Sequence, residues 1–190
     1  MYNKLAECPV PCLQHESELQ EFLEIYKEIK PKNIAEIGSF YGGTLWFFIK
    51  NNPHLEKIIV IDMPIPPSDE RYNEMIVAKE QWIQWISEYT KFQNYEGNSH
   101  ETTLIAAVKD NNIYNDVDML HIDGDHTYEG VKSDFENFKS LVKPGGIIVF
   151  HDVVGIPDVA KFWNEVKEIY PETFREISHD GGWGIGILNV

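Results

Sequence analysis

Five short stretches of this chain gather residue types that can do chemistry. Glu36-Ile37-Gly38-Ser39-Phe40-Tyr41-Gly42-Gly43 combines an acid with three glycines. Asp62-Met63 closes an apolar run, and Asn98-Ser99-His100 follows a glycine. Asp123-Gly124-Asp125-His126 and His151-Asp152 complete the set. Glycine in a turn lets the backbone approach a ligand, and the N-terminus of the next helix offers free N–H groups. The spacing here is Gly-x-x-x-Gly-Gly rather than Gly-x-Gly-x-x-Gly, which speaks against a nicotinamide dinucleotide. Asp62, 24 residues beyond Gly38, is placed to accept both hydroxyls of a ribose. An imidazole ordinarily titrates near neutrality, so the one at 126 is placed to take a proton.

Such residues need a scaffold, and the chain alternates short β-branched runs with stretches of helical period. Ser17-Glu18-Leu19-Gln20 has capping-box spacing, and Leu19, Phe22, Leu23, Tyr26 and Ile29 share one face before Pro31. Asn33 to Gly38 reads as a buried strand, with a helix from about Gly42 to Asn51. Lys57 to Asp62 is a second strand, and its compact apolar run suits a parallel sheet covered on both faces. The proline-rich stretch from Met63 to Ser68 predicts a loop, followed by a helix carrying Met75, Ile76, Lys79, Trp82, Ile83 and Ile86 up to Tyr89.

Phe92 to Gly97 reads as the third strand, and Asn98 with Glu101 has N-cap and N3 spacing for a helix ending near Lys109. Val117 to Asp123 is the fourth strand, before a helix striped by Val131, Phe135, Phe138 and Val142. Pro144-Gly145-Gly146 predicts a turn into a fifth strand, Ile147 to His151. A helix bearing Val159, Phe162, Trp163, Val166 and Ile169 then precedes two strands, Phe174 to Ser178 and Trp183 to Leu188. The expected fold is α/β: a Rossmann-like, mostly parallel seven-stranded sheet with helices on both faces and an antiparallel edge hairpin. In such sheets ligands bind beyond the carboxyl ends of the strands, where all five loaded stretches fall. One domain over 1–190 is expected, with an N-terminal arm and helix (1–32) before the cofactor-binding core (33–190).

Composition narrows the partners. Sixteen Lys and Arg against 31 Asp and Glu give a net charge of -15, which excludes the cationic footprint of a nucleic-acid binder and opposes an anionic membrane surface. No apolar run approaches the roughly 20 residues that span a bilayer, and residues 1–7 lack a signal peptide's apolar stretch, so a cytoplasmic protein is expected. Cys8 and Cys12 have neither a second pair for zinc nor redox Cys-x-x-Cys spacing, and they read as plain thiols in a proline-stiffened arm.

From about Asn33 to its C-terminus the chain resembles class I S-adenosylmethionine-dependent methyltransferases. Glu36-x-Gly38-x-x-x-Gly42 is similar to that family's first motif, and Trp183-Gly184-Ile185-Gly186-Ile187-Leu188 suits its reversed last strand. The closest resemblance is to small O-methyltransferases of the catechol and macrocin type. It is carried by Asp118-Met119-Leu120-His121-Ile122-Asp123-Gly124-Asp125-His126-Thr127-Tyr128-Glu129-Gly130-Val131, by Leu141-Val142-Lys143-Pro144-Gly145-Gly146 and by His151-Asp152.

The resemblance implies that Glu36, Gly38, Ser39 and Gly42 lie near the methionine end of S-adenosyl-L-methionine. Asp62 would hold its ribose and Met63 would pack on the adenine, which Ser99 and His100 would line. It also implies a divalent metal, magnesium or manganese, on Asp123 and Asp152, with Asp123 next to the cofactor as well. Val153 stands where the catechol enzymes have a ligating Asn, which leaves the third ligand open between His151, Asp125, water and none. Without a metal, Asp123 and Asp152 read as helix caps.

His126 falls where those enzymes have a catalytic lysine and is the expected base, whereas His121 inside strand four reads as structural. The expected acceptor is a hydroxyl of a small molecule or sugar, and a homodimer is compatible with the edge helices. Pro64 to Tyr89 is long for a connection: its aromatic stripe is expected to pack on the sheet or on a second subunit, with a cover over part of the acceptor pocket as the alternative. Two rival functions remain: a nicotinamide-dependent oxidoreductase, and a non-catalytic cofactor-binding subunit suggested by Val153.

Overall fold

The structure, a computed structural model, describes residues 4–110 and 116–190; the start of the N-terminal arm and residues 111–115 lie outside the described residues. After a short 3-10 turn (Lys4–Glu7), the chain runs α1 (Glu16–Ile29), β1 (Asn33–Ile37), α2 (Gly43–Asn51), β2 (Lys57–Asp62), α3 (Tyr72–Tyr89) and β3 (Lys91–Glu96). It continues through α4 (Thr102–Asp110), β4 (Val117–Ile122), α5 (Tyr128–Phe138), β5 (Val142–His151), α6 (Pro157–Ile169), β6 (Phe174–Ile177) and β7 (Ile185–Asn189). The strands form one sheet in the order β3-β2-β1-β4-β5-β7-β6. The pairs from β3 to β5 are parallel, and β7 runs antiparallel to both its neighbours.

Successive side chains of a strand point to opposite faces, and here both faces are covered. In β2, Ile59 and Ile61 join one core with residues of α4, α5 and α6, while Ile58 and Val60 join another with residues of α1, α2 and α3. The same alternation holds in β5, where Ile148 and Phe150 face the first core and Ile147 and Val149 the second. Each fully buried aliphatic or aromatic side chain stabilises the fold by about 1.5–3 kcal/mol. The two layers therefore fix the sheet, and the strand order reverses between β1 and β4, where a crevice opens beyond the strand ends.

Several local expectations are corrected. The helix α1 starts at Glu16 with His15 as an N-cap that makes no side-chain bond. Ser17 thus lies inside the helix, Gln20 bonds Glu16 instead of closing a capping box, and Ile29 is exposed. Asn98 caps a turn, accepting the His100 N–H on its side chain and the Glu101 N–H on its carbonyl, and α4 begins only at Thr102. Strand β5 already runs through Pro144-Gly145-Gly146. The Gly145 N–H donates to the Val190 carbonyl and the Val190 N–H to the Gly146 carbonyl, while an irregularity between Val117 and Met119 absorbs the shift in register. Among the described residues, no helix is long and apolar enough to cross a membrane.

Candidate active site

A cleft of about 860 Å³ opens over the carboxyl ends of β1, β2, β3, β4 and β5. Its floor is the turn after β1. Gly38 has φ +83°, and a Cβ there would come within 2.2 Å of the Asp123 carbonyl oxygen, so only glycine lets the ends of β1 and β4 lie this close. Gly42 has φ +79° and packs on the indole of Trp82 from α3, away from the cleft lining. Of the expected cofactor residues, Gly38, Ser39, Asp62, Met63, Ser99, His100 and Asp123 line the cleft.

Glu36 does not line the cleft. It lies beside His121 across the β1–β4 pairing, 3.0 Å from its Nδ1, and both side chains are almost wholly enclosed. Burial pushes the Glu36 carboxyl up, against the pull of His121. His121 is thereby the structural histidine expected, with the Phe48 ring edge-on to it.

At one end of the cleft, Ser39 Oγ donates to Asp62 Oδ2 (3.2 Å). Burial pushes Asp62 up to about 6, although the Lys79 ammonium and the Ser39 bond oppose the rise. At the other end, β4 and β5 deliver Asp123 and Asp152 side by side. His126 Nε2 lies 3.3 Å from Asp123 Oδ1 and 3.2 Å from Asp152 Oδ2. His151 sits behind them, its Nδ1 3.0 Å from Asp152 and 3.4 Å from Asp123, although neither ring nitrogen makes a well-aligned hydrogen bond. Asp152 has φ +65°, a left-handed backbone that costs a non-glycine residue about 1–3 kcal/mol and aims its carboxylate at the cluster.

Electrostatics tie this cluster together. Burial alone would raise Asp123, but the charge of the nearby His151 and the bond from His126 outweigh it and hold the carboxyl well below its usual range. Burial opposes a charge on His151, yet the two facing carboxylates push it up to about 10. The bond to Asp123 raises His126 against its own partial burial. The cluster thus favours positive charge between two carboxylates.

Donor atoms of Asp123, His126 and Asp152 all lie within 4.8 Å of one another. Separations of 3.2–3.3 Å are close to the edge of an octahedron with ligands about 2.1–2.3 Å from a central ion, so a divalent cation fits these three groups. The gathered histidine is His126, expected as a base, whereas the expected ligand His151 supports the carboxylates from behind.

Three contributors were not read from the sequence. The N-terminal arm folds over the β1–α2 turn, so tightly that a Cβ on Gly43 would strike Cys12, and Gln14 Nε2 donates to Asp123 Oδ2 (3.2 Å). Nothing in the residue types of an arm announces such a return. Trp183, between β6 and β7, lines the cleft and packs on Gly155. Asp134, wholly enclosed in α5, stands 3.2 Å from His100 Nε2; an acid on the stripe of Val131, Phe135 and Phe138 was its available signal. Of the two readings of Pro64 to Tyr89, the cover is not supported, since none of those residues lines the cleft. Helix α3 instead buries Met75, Trp82 and Ile86, and its Trp82 and Ile86 join the core against the sheet and α2.

Comparison with known proteins places this geometry among others. A family model described as a methyltransferase domain matches residues 35–153. The uncharacterised protein R132 of Acanthamoeba polyphaga mimivirus is 30% identical over 118 residues, 62% of this chain and 50% of that one. The uncharacterised protein y4gI of Sinorhizobium fredii is 24% identical over 172 residues, 84% of this chain and 17% of that one. The chain therefore spans half or less of the length of these relatives.

Solved structures share the fold at low identity. A candidate caffeoyl-CoA O-methyltransferase from Staphylococcus aureus superposes with a TM-score of 0.68 at 18% identity, covering 94% of this chain and 84% of that one. The O-methyltransferase TomG from Streptomyces achromogenes, in complex with S-adenosylmethionine, gives 0.64 at 14%, covering 93% and 81%. An O-methyltransferase from Bacillus cereus, in complex with S-adenosylhomocysteine, gives 0.62 at 15%, covering 99% and 87%.

Proposed function

Because this chain belongs to the methyltransferase-domain family, we propose that it transfers the methyl group of S-adenosylmethionine to a hydroxyl oxygen of a small molecule. The observation that carries this reading is the two-ended cleft: a ribose-type carboxylate, Asp62 with Ser39, faces a proton-transfer cluster, Asp123, His126 and Asp152, across one cavity. The lining holds four aspartates and neither Lys nor Arg among the described residues. Such a surface attracts a cation and offers no side-chain charge to a pyrophosphate, which supports a sulfonium cofactor over a nicotinamide dinucleotide.

S-adenosylmethionine supplies an electrophilic methyl group on positively charged sulfur. The protein's share is alignment and proton removal. Gly38 and Ser39 form the floor at the end of β1, Asp62 accepts the ribose hydroxyls, and the wall of Ser99 and His100 encloses the base. The acceptor hydroxyl must lose its proton as its oxygen attacks. His126 directs Nε2–H toward Asp123 and Asp152, so Nδ1 takes that proton and the two carboxylates stabilise the imidazolium formed.

A second reading is favoured by the three convergent donor atoms: a magnesium or manganese ion on Asp123, His126 and Asp152. Such an ion would make an acceptor hydroxyl easier to deprotonate, and His126 would then be a ligand rather than the base. Methyl transfer from labelled cofactor to a panel of catechols, sugars and other alcohols tests the first reading. Transfer to no hydroxyl acceptor, despite cofactor binding, rejects it in favour of a non-catalytic subunit. Turnover abolished by a chelator and restored by manganese selects the second reading, and turnover indifferent to chelator removes it.

A further inference from the structure

Asp134 is a carboxylate in an expensive place. It lies on the stripe by which α5 packs on the sheet, with no exposed surface, and an unpaired charge there would cost several kcal/mol. Its neighbours belong to the cleft wall. His100 Nε2 is 3.2 Å from Oδ1, the Ser99 hydroxyl lies close enough to stabilise the carboxylate, and a Cβ on Gly124 would come within 3.1 Å of Oδ2. Ser99, His100 and Gly124 all line the cleft, so the acid stands directly behind that wall. Neither its oxygens nor His100 Nε2 closes a fully aligned hydrogen bond, which leaves Nε2 and Oδ1, 3.2 Å apart, facing each other as buried groups without another aligned partner.

We propose that Asp134 is a positioning residue for purine recognition: it holds His100 as the Nε2–H tautomer, leaving Nδ1 as an acceptor for the exocyclic amine of adenine. The inference rests on the reading that the cleft binds S-adenosylmethionine with its base against Ser99 and His100. A neutral imidazole has one donor and one acceptor, and the partner of one nitrogen decides the role of the other. Burial raises the Asp134 carboxyl, while the Ser99 hydroxyl and His100 oppose the rise; in its ionised form it accepts only, so Nε2 facing it carries the proton. Adenine presents an N–H donor at position 6, whereas hypoxanthine presents a carbonyl oxygen that an accepting Nδ1 repels. The site thereby selects 6-amino over 6-oxo purines.

The test compares binding of S-adenosylhomocysteine with its deaminated analogue, S-inosylhomocysteine, by calorimetry. The wild type should prefer the adenosyl form by about 10–100-fold, because a site built around one hydrogen bond discriminates against the analogue that cannot make it. Asp134→Asn can donate to Nε2 and release the opposite tautomer, so the preference should fall to within about threefold. Should that variant fail to fold, His100→Ala, at a partly exposed position, should show the same loss of preference. Long-range proton–nitrogen spectra of the wild type should find His100 protonated at Nε2. Protonation at Nδ1, or a preference that survives both substitutions, overturns the proposal while cofactor binding stands. No binding of S-adenosylhomocysteine at all overturns the underlying reading, and this inference with it.

Discussion

Replacing Glu18 by Ala should loosen one wall of the cleft, although Glu18 is not itself part of the lining. Glu18 is about 1% exposed and sits in the first turn of α1, yet its carboxylate bonds no residue of that helix. Oε1 accepts the His179 N–H (3.0 Å) and the Gly184 N–H (3.1 Å), and Oε2 accepts the Trp183 N–H (3.0 Å) while sharing that of Gly184. These three donors hold the segment between β6 and β7. In turn the Trp183 carbonyl accepts from the Val154 and Gly155 N–H groups at 2.8 Å each, and the indole lies against Gly155.

Each backbone N–H left buried and unpaired costs about 1–3 kcal/mol, but water can reach the His179 end once the side chain is gone. Glu18→Ala should therefore cost about 3–4 kcal/mol, a large share of the 5–15 kcal/mol typical of a domain. Glu18→Gln keeps one oxygen but turns an NH2 toward an N–H donor, so it should cost about 2 kcal/mol. Urea denaturation checks both through the midpoint at constant slope. Native-state amide exchange should show Trp183 and Gly184 losing protection before the sheet does. A midpoint shift worth under about 1 kcal/mol, with Trp183 protection unchanged, would refute the claim that this carboxylate anchors the wall.

Other expectations follow from single groups. Asp62 is raised to about 6 by burial, above the usual 3.8, so its contribution to stability is fully present below 3.8 and is lost as pH rises through about 6. Ribose hydroxyls need the ionised form, so affinity for S-adenosylhomocysteine should fall up to about tenfold per unit below pH 6; calorimetry from pH 5 to 8 giving a flat profile would contradict this. His126→Ala should lower turnover by about 10²–10⁴-fold with homocysteine-form affinity nearly unchanged, as read by steady-state kinetics beside calorimetry. Because the bond to Asp123 raises His126, the rising limb of the wild-type rate should lie above pH 6.5. Gly42→Ala combines a left-handed backbone with a Cβ only 2.3 Å from Trp82 Cδ1, and should lose about 2–4 kcal/mol of stability in the same urea assay.

The sheet was legible because a strand buried on both faces writes itself as an uninterrupted apolar run. Lys57 to Asp62 matches β2 residue for residue, and the exits that carry Gly38, Asp62, Ser99, Asp123 and Asp152 converge as the order of alternating strands and helices predicts. What failed was local grammar overruled by tertiary contact. Pro144-Gly145-Gly146 looks like a turn but is paired to the last residue of the chain, and the capping-box letters at Ser17 and Gln20 lie within the helix. The aromatic segment after Met63 resembles a cover, yet Trp82 is drawn into the core by the space that Gly42 leaves.

Acids were the hardest residues to read. Glu18 and Asp134 look like solvated helix positions until their partners, 161 and 34 residues away, are known. Each does sit beside an apolar stripe, which is where a buried carboxylate first shows itself in a sequence. Glu36 is expected at the cofactor from its motif; in the structure its Oε1 faces His121 on the neighbouring strand, a pairing the motif does not show.

The central claim is that this cleft is built for a sulfonium nucleoside. Calorimetric titration of the protein, in parallel, with S-adenosylmethionine, S-adenosylhomocysteine and NAD tests it most directly. The account predicts that both sulfur nucleosides bind and that Asp62→Ala weakens them by at least tenfold, with NAD much weaker throughout. NAD binding more tightly than S-adenosylhomocysteine, or sulfur nucleosides bound equally by the Asp62 variant, would contradict it.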